Sequence, residues 1–236
     1  MIKSNGEPYT ARLLQEQAGG YEWGRFIAGV RLRNNRLDYP LRYAAKSYEI
    51  NEKAAIVLFG LQDLIGEKEM NHALREFKNE FAFRSKPPFA SVADLYRYLK
   101  KYTPDSVQYY LRDNWENITF YDNKVLDAKM EKSASNDGFS VRFTLQISKV
   151  YVDSLGAEIQ TPPINDYIDV AIFGPDIKSP TGIMIKNPIW FRKIKLGKGA
   201  RQFDIKVKSR PTQVGVDPYH KLIDRSIWDN TRDLMP

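Results

Sequence analysis

The chain has 236 residues, no cysteine and only two histidines, His72 and His220. The missing cysteine removes disulfides, thiolate metal ligands and a thiol nucleophile together. It says little about compartment, because a protein can dispense with disulfides on either side of a membrane. The scarcity of histidine bears on zinc chemistry. A zinc-peptidase helix of the H-E-x-x-H type needs two histidines one turn apart, and these two are far apart in sequence. His72 and Glu76 stand one helical turn apart, but two ligands fall short of a site. A G-x-S-x-G nucleophile elbow is also lacking. So is a glycine loop able to cradle phosphate, since residues 197–199 (GKG) have neither its length nor its following helix.

No apolar run approaches the roughly 20 residues that a bilayer span requires. Met1 is not followed by the apolar region of a secretion signal. Direct membrane insertion is therefore not expected, and the start close to a helix near Glu7 reads as that of a fragment. The net charge of +7 is not concentrated. Residues 1–115 hold 18 Lys and Arg against 14 Asp and Glu, and the remainder holds 18 against 15. The basic clusters at 192–195 and 206–210 are short, so a nucleic-acid partner is not expected.

Against these absences stands an ordinary globular composition, 42% hydrophobic and 28% charged, with ample length for a core. Residues 51–66 (NEKAAIVLFGLQDLIG) form the most apolar stretch and predict a helix buried on nearly every side. Asn51 suits its N-cap, and Gly66 a left-handed close. Helices are also predicted over 7–18, in weaker form over 21–35, through Met70, Ala73, Leu74, Phe77 and Phe81, and from Ser91, with Asp94 completing a capping box. Thr103 and Pro104 open a short fourth helix ending near Arg112.

Beyond residue 117 the period changes from helical to alternating. Phe139, Val141, Phe143, Leu145 and Ile147 alternate with polar residues, the mark of a strand with one buried face. Strands are expected over 124–132, 167–173, 183–185, 189–196 and 203–207, with hairpin turns at 136–138 and 197–199. The fold class is α+β: a helical lobe, residues 1–115, then an antiparallel immunoglobulin-like β-sandwich, residues 116–236. Asn117, Ile118 and Thr119 match a glycosylation sequon, more simply read as the first strand. Asp166 and Asp169 are a carboxylate pair that could be catalytic, and polar strand ends explain them equally well. Tyr167, Trp190 and Phe191 are a candidate carbohydrate- or peptide-binding surface.

Four segments also resemble a known family: EKAAIVLFGLQDLIGEKEMNHALREF, PPFASVADLYRYL, ENITFYDNKVLDAKMEK and VGVDPYHKLIDRSIWDN. They are similar to the C-terminal part of aminopeptidase-N-like zinc metallopeptidase domains, above all the version fused to bacterial ABC transporter permeases. The resemblance implies an extracytoplasmic module whose zinc helix lies upstream of residue 1. It aligns Ser4 with the region of the family's third zinc ligand, where Glu7 is three residues out of register. It also aligns Asn51 with the catalytic tyrosine that would donate to an oxyanion, and Ala54 with a glycine. With those positions changed, the expected function is a non-catalytic scaffold or partner-binding segment that holds no cofactor itself, zinc belonging to the parent family. The alternatives are part of an active zinc aminopeptidase completed upstream, and a carbohydrate- or peptide-binding sandwich. Expected partners are upstream peptidase and permease regions, and peptide. The signature at 217–225 (Asp217, Pro218, Tyr219, Lys221, Asp224 and Arg225) is expected to pin the end of the chain, with Asp224 and Arg225 as a local ion pair.

Overall fold

A computed structural model describes residues 38–44, 47–133, 137–178, 182 and 184–234, apart from the Tyr48 side chain. The helix expected over 7–18, the pattern over 21–35 and Ser4 lie outside the described residues. What is described is mixed α+β.

A 3-10 turn at Leu41–Tyr43 precedes a π-helical turn, Tyr48–Lys53, which runs straight into helix α1, Ala54–Ile65. Asn51 is therefore not an N-cap: it sits within helical backbone, exposed, and its side-chain amide donates to Ser47 Oγ at 3.1 Å. Nor is α1 buried all round. Ile56, Val57, Gly60 and Leu61 form its buried stripe, while Phe59 is 43% exposed. Gly66 has the positive φ of 89° that favours glycine, but its ψ of 155° lies outside the left-handed helical basin. The chain there turns at once into α2, Glu67–Phe81.

Helix α3, Val92–Tyr102, begins with both arms of the capping box: Asp94 N–H donates to Ser91 Oγ, and Ser91 N–H to the Asp94 carboxylate. The hydroxyls of Tyr98 and Tyr102 fasten α3 to α2 by donating to Glu80 and Glu76. Leu74 of α2 and Val92 of α3 are exposed, at 40% and 39%. Thr103 closes α3 and does not open the next helix, because its hydroxyl donates back to Leu99 O at 2.7 Å. A 3-10 turn (Asp105–Val107), helix α4 (Gln108–Leu111) and a π-helical turn (Arg112–Glu116) follow, so helical backbone runs past the expected end at Arg112.

Among the described residues ten strands follow: β1 (Ile118–Tyr121), β2 (Lys124–Lys132), β3 (Phe139–Ile147), β4 (Lys149–Val152), β5 (Glu158–Gln160), β6 (Asn165–Lys178), β7 (Met184–Gly197), β8 (Gly199–Val207), β9 (Gln213–Val216) and β10 (Thr231–Asp233). They form three antiparallel sheets, with orders β10-β9-β6-β7, β2-β3-β8 and β1-β4-β5. β2 and β3 pair as the expected hairpin. The two strands expected at 183–185 and 189–196 are one, β7, irregular where Pro188 falls. The turn at 197–199 is not a hairpin: β7 pairs with β6 and β8 with β3. Lys198 instead carries the chain from one sheet to another, and Ser148 does the same between β3 and β4.

Along β3, Val141, Phe143, Leu145 and Ile147 are fully buried. They share one apolar cluster with Ile168, Val170 and Ile172 of β6, Val214 and Val216 of β9, and Ile56, Val57, Leu61, Leu99 and Trp115 of the helical part. Helix α1 comes close to the 217–222 turn and to α4 at Gly60. A Cβ there would lie 2.0 Å from the Tyr110 hydroxyl and 2.7 Å from the Lys221 carbonyl oxygen. Tyr110 is itself fixed, since its hydroxyl lies 3.2 Å from both Val57 O and Lys221 O. Gly60→Ala should therefore destabilise the fold by about 1–3 kcal/mol in urea titration, although alanine is the better helix former.

Candidate functional site

Asp63 is the only acid in α1, and it faces the sheet. Asp169 lies mid-way along β6 between Ile168 and Val170, cross-strand from Lys193 of β7. These three meet Lys221 in a closed ring. The Lys221 ammonium lies 2.5 Å from Asp169 Oδ2 and 2.8 Å from Asp63 Oδ1. The Lys193 ammonium lies 2.8 Å from Asp169 Oδ1 and also binds Asp63 Oδ2. Each carboxylate oxygen thus has its own ammonium, and the ring is formally neutral. Burial acts to raise the Asp63 carboxyl, but Lys221 and Lys193 outweigh it and hold it below the usual carboxylate range. Burial likewise acts to lower Lys193, and Asp169 with Asp63 holds it raised.

Lys221 reaches the ring because the 217–222 turn folds around the Asp217 side chain. That carboxylate accepts the N–H groups of Lys221 at 3.0 Å and Leu222 at 2.9 Å. The Asp217 N–H donates to Asp169 O at 2.7 Å, which seats the turn on β6. Asp217 and His220 both take positive φ, 42° and 52°, a conformation that short polar side chains tolerate best. Pro218 covers Gly215, and Tyr219 packs against Phe173 and Phe191. Burial pushes the Asp217 carboxyl up to about 8, against the two N–H donors and the Lys221 ammonium. Burial drives the His220 imidazole down to about 4.

Further along the signature, Asp224 and Arg225 do not pair with each other. The buried Asp224 carboxylate accepts the N–H groups of Asn123 and Ser226, both at 3.0 Å, while the Arg225 guanidinium meets Glu158 at 2.6 Å. Tyr121 and this segment exchange backbone bonds, Tyr121 N–H to Ile223 O and Arg225 N–H to Tyr121 O, each 2.8 Å. The signature is therefore stitched along its length to β1 and β6.

A second buried network lies nearby. The Lys149 ammonium is 2.6 Å from Asp113 Oδ2 and 2.7 Å from Asp166 Oδ2, with hydroxyls of Tyr151 and Tyr121 donating to the same two acids. Asp166, second in β6, is thus a strand end but not an exposed one, and Asp169 lies further in. Both are buried, three residues apart on opposite faces of β6, each in its own lysine network.

The recess beside the four-residue ring is lined by Gly60, Tyr110, Tyr167 and Asp217 and measures about 10 Å³. That is at the lower limit for one water molecule. Its ammonium groups and carboxylates are all engaged at hydrogen-bonding distance, so the arrangement holds four elements together, α1, β6, β7 and the 217–222 turn. Among the described residues, no three His, Asp or Glu side chains are placed to share a metal. Glu76, the partner considered for His72, instead binds Lys101 at 2.7 Å and Tyr102 at 2.6 Å. Thr119 of the sequon is buried, its hydroxyl donating to Asp113 O at 2.5 Å. Tyr167 and Phe191 lie on one face of their sheet and Trp190 on the other, so the three make no common binding surface. Sequence reasoning missed Asp63, Lys193, Asp113 and Lys149. The available signal was a lone charge inside an otherwise apolar run, as at Asp63 in α1.

No family model matches this chain, and no curated protein does. Among solved structures, the crystal structure of Legionella pneumophila aminopeptidase A in complex with aspartic acid aligns over 80% of this chain and 20% of that one, with a TM-score of 0.42 and 11% identity. The chain thus spans about a fifth of that protein's length, and a likeness at this level supports nothing about function.

Two outcomes test the clamp. Asp169→Asn removes the negative charge both lysines share and turns an NH2 group toward one of them, and should destabilise by about 3–5 kcal/mol in urea. For Asp217, the folded state binds the carboxyl proton more tightly than the unfolded chain. The associated stability is therefore present below about pH 4 and lost as pH rises toward 8. His220 acts oppositely, losing stability as pH falls from about 6.5 toward 4. Wild-type stability minus that of Asp217→Asn isolates the first effect and should decline between about pH 5 and pH 8; a flat or rising difference would contradict it.

Proposed function

We propose that this chain acts as a non-catalytic scaffold and partner-binding segment of an aminopeptidase-N-like peptidase-domain protein. The single observation that carries the non-catalytic part is the closed Asp63–Lys221–Asp169–Lys193 ring: its charges are mutually engaged, and the recess beside it is no larger than a water site. A general base or nucleophile must instead reach a reacting atom. The surface-exposed Asn51, aligned with the family's tyrosine, is consistent with the same reading.

We further take the chain as two units meeting near residue 115, the second an immunoglobulin-like sandwich. The four-stranded β10-β9-β6-β7 sheet and the three-stranded β2-β3-β8 sheet supply the strand count of that plan, and β1-β4-β5 is an addition to it. On the segments quoted above, the parent protein would be an extracytoplasmic bacterial one carrying permease helices, with zinc bound, if at all, upstream.

The test is hydrolysis of aminoacyl-anilide substrates by the purified chain with zinc added. The expected result is no turnover above buffer. Turnover at an enzymatic rate by this chain alone would sink the proposal, and substitution of Asn51 by tyrosine should not create activity.

A further inference from the structure

The turn between α2 and α3 has a composition that neither the core nor the charged ring explains. Residues 82–93 (AFRSKPPFASVA) contain Arg84 and Lys86 but no acid, and residues 83–93 are all exposed. Phe83 is 101% exposed at a φ of 60°, and Phe89 is 61% exposed. Two aromatic rings held in water on one turn are a cost that a merely connecting turn would avoid.

The turn is closed on itself by Arg84. Its guanidinium donates to Pro88 O at 2.9 Å and Glu80 O at 3.2 Å while lying 4.8 Å over the Phe81 ring. The acids at either end are engaged elsewhere: Glu80 with Arg97 and Tyr98, Asp94 with Ser91. The tip therefore offers two aromatic rings and the Lys86 ammonium, backed by the positive charge of Arg84. Pro87 and Pro88 bring no N–H groups that would have to be stripped of water.

We propose that this tip docks on an anionic lipid surface, with Phe83 and Phe89 entering at headgroup depth, Lys86 facing the phosphates and the internally bonded Arg84 adding its positive charge behind them. Aromatic rings beside basic groups suit that layer. Size decides against a protein groove as the occupant. Two phenylalanines contribute on the order of 300–500 Å² between them, below the roughly 800 Å² per partner of a stable protein interface. Partition into an interface sets no such minimum. The contact is superficial: none of the described helices is long and apolar enough to cross a membrane.

The experiment is flotation of the full chain with vesicles of phosphatidylcholine, alone and mixed with phosphatidylglycerol. Binding to the mixed vesicles is expected, weakened about tenfold or more in the Phe83→Ser, Phe89→Ser double variant. Lys86→Gln should weaken it about fivefold. Both rings are exposed, so the double variant should unfold at the wild-type urea concentration; Phe89→Ser alone repeats the test if it does not. No binding to the mixed vesicles, equal binding to both kinds, or undiminished binding by the phenylalanine variants would each overturn the proposal. The last outcome would mean that lipid is held elsewhere on the surface.

Discussion

The interaction on which the rest depends is the alternation of two aspartates and two lysines at the meeting of α1, β6, β7 and the 217–222 turn. Burying any one of these charges alone would cost several kcal/mol, and the deficit is recovered only when all four are in place. Geometry makes that possible, because Asp169 and Lys193 are already cross-strand neighbours and Asp63 approaches from the helix above. Such a ring adds less stability than an apolar cluster of equal volume could. What it contributes here is a defined seating, since a rotation of α1 by one residue would leave Asp63 without both lysines.

The Lys149 network repeats the arrangement on the other face of β6, with tyrosine hydroxyls taking the place of a second cation. Together the two networks engage seven of the described charged side chains, Asp63, Asp113, Lys149, Asp166, Asp169, Lys193 and Lys221. They also put the signature segment in a structural light. Asp217 shapes its turn, Lys221 enters the ring and Asp224 ties down Asn123, three separate uses of a buried polar side chain within eight residues.

Much of the fold is legible in the residues. The alternation in β3, the Ser91–Asp94 capping box and the β2–β3 hairpin all follow from local periods and cap chemistry. The errors arise where tertiary contact overrides local preference. Asn51 has N-cap chemistry, yet a preceding π-helical turn moves the helix entrance upstream. The glycines at 197 and 199 have hairpin chemistry, yet the strands beside them find partners in different sheets. The candidate site was legible only in part. Asp217 and Lys221 stood out through their motif, but nothing local joins them to Asp63 or Lys193. A lone acid in an apolar helix says that a partner exists without saying where.

That distance has a bearing on how the chain is made. Asp63 and Asp169 both leave the ribosome well before Lys221. At roughly 5–20 residues per second, Asp63 waits on the order of ten seconds for its second lysine. Throughout that time α1 can form, but it has no reason to settle in its final orientation on the sheet. A segment synthesised well after α1 is thus the one that completes the ring around that helix's acid.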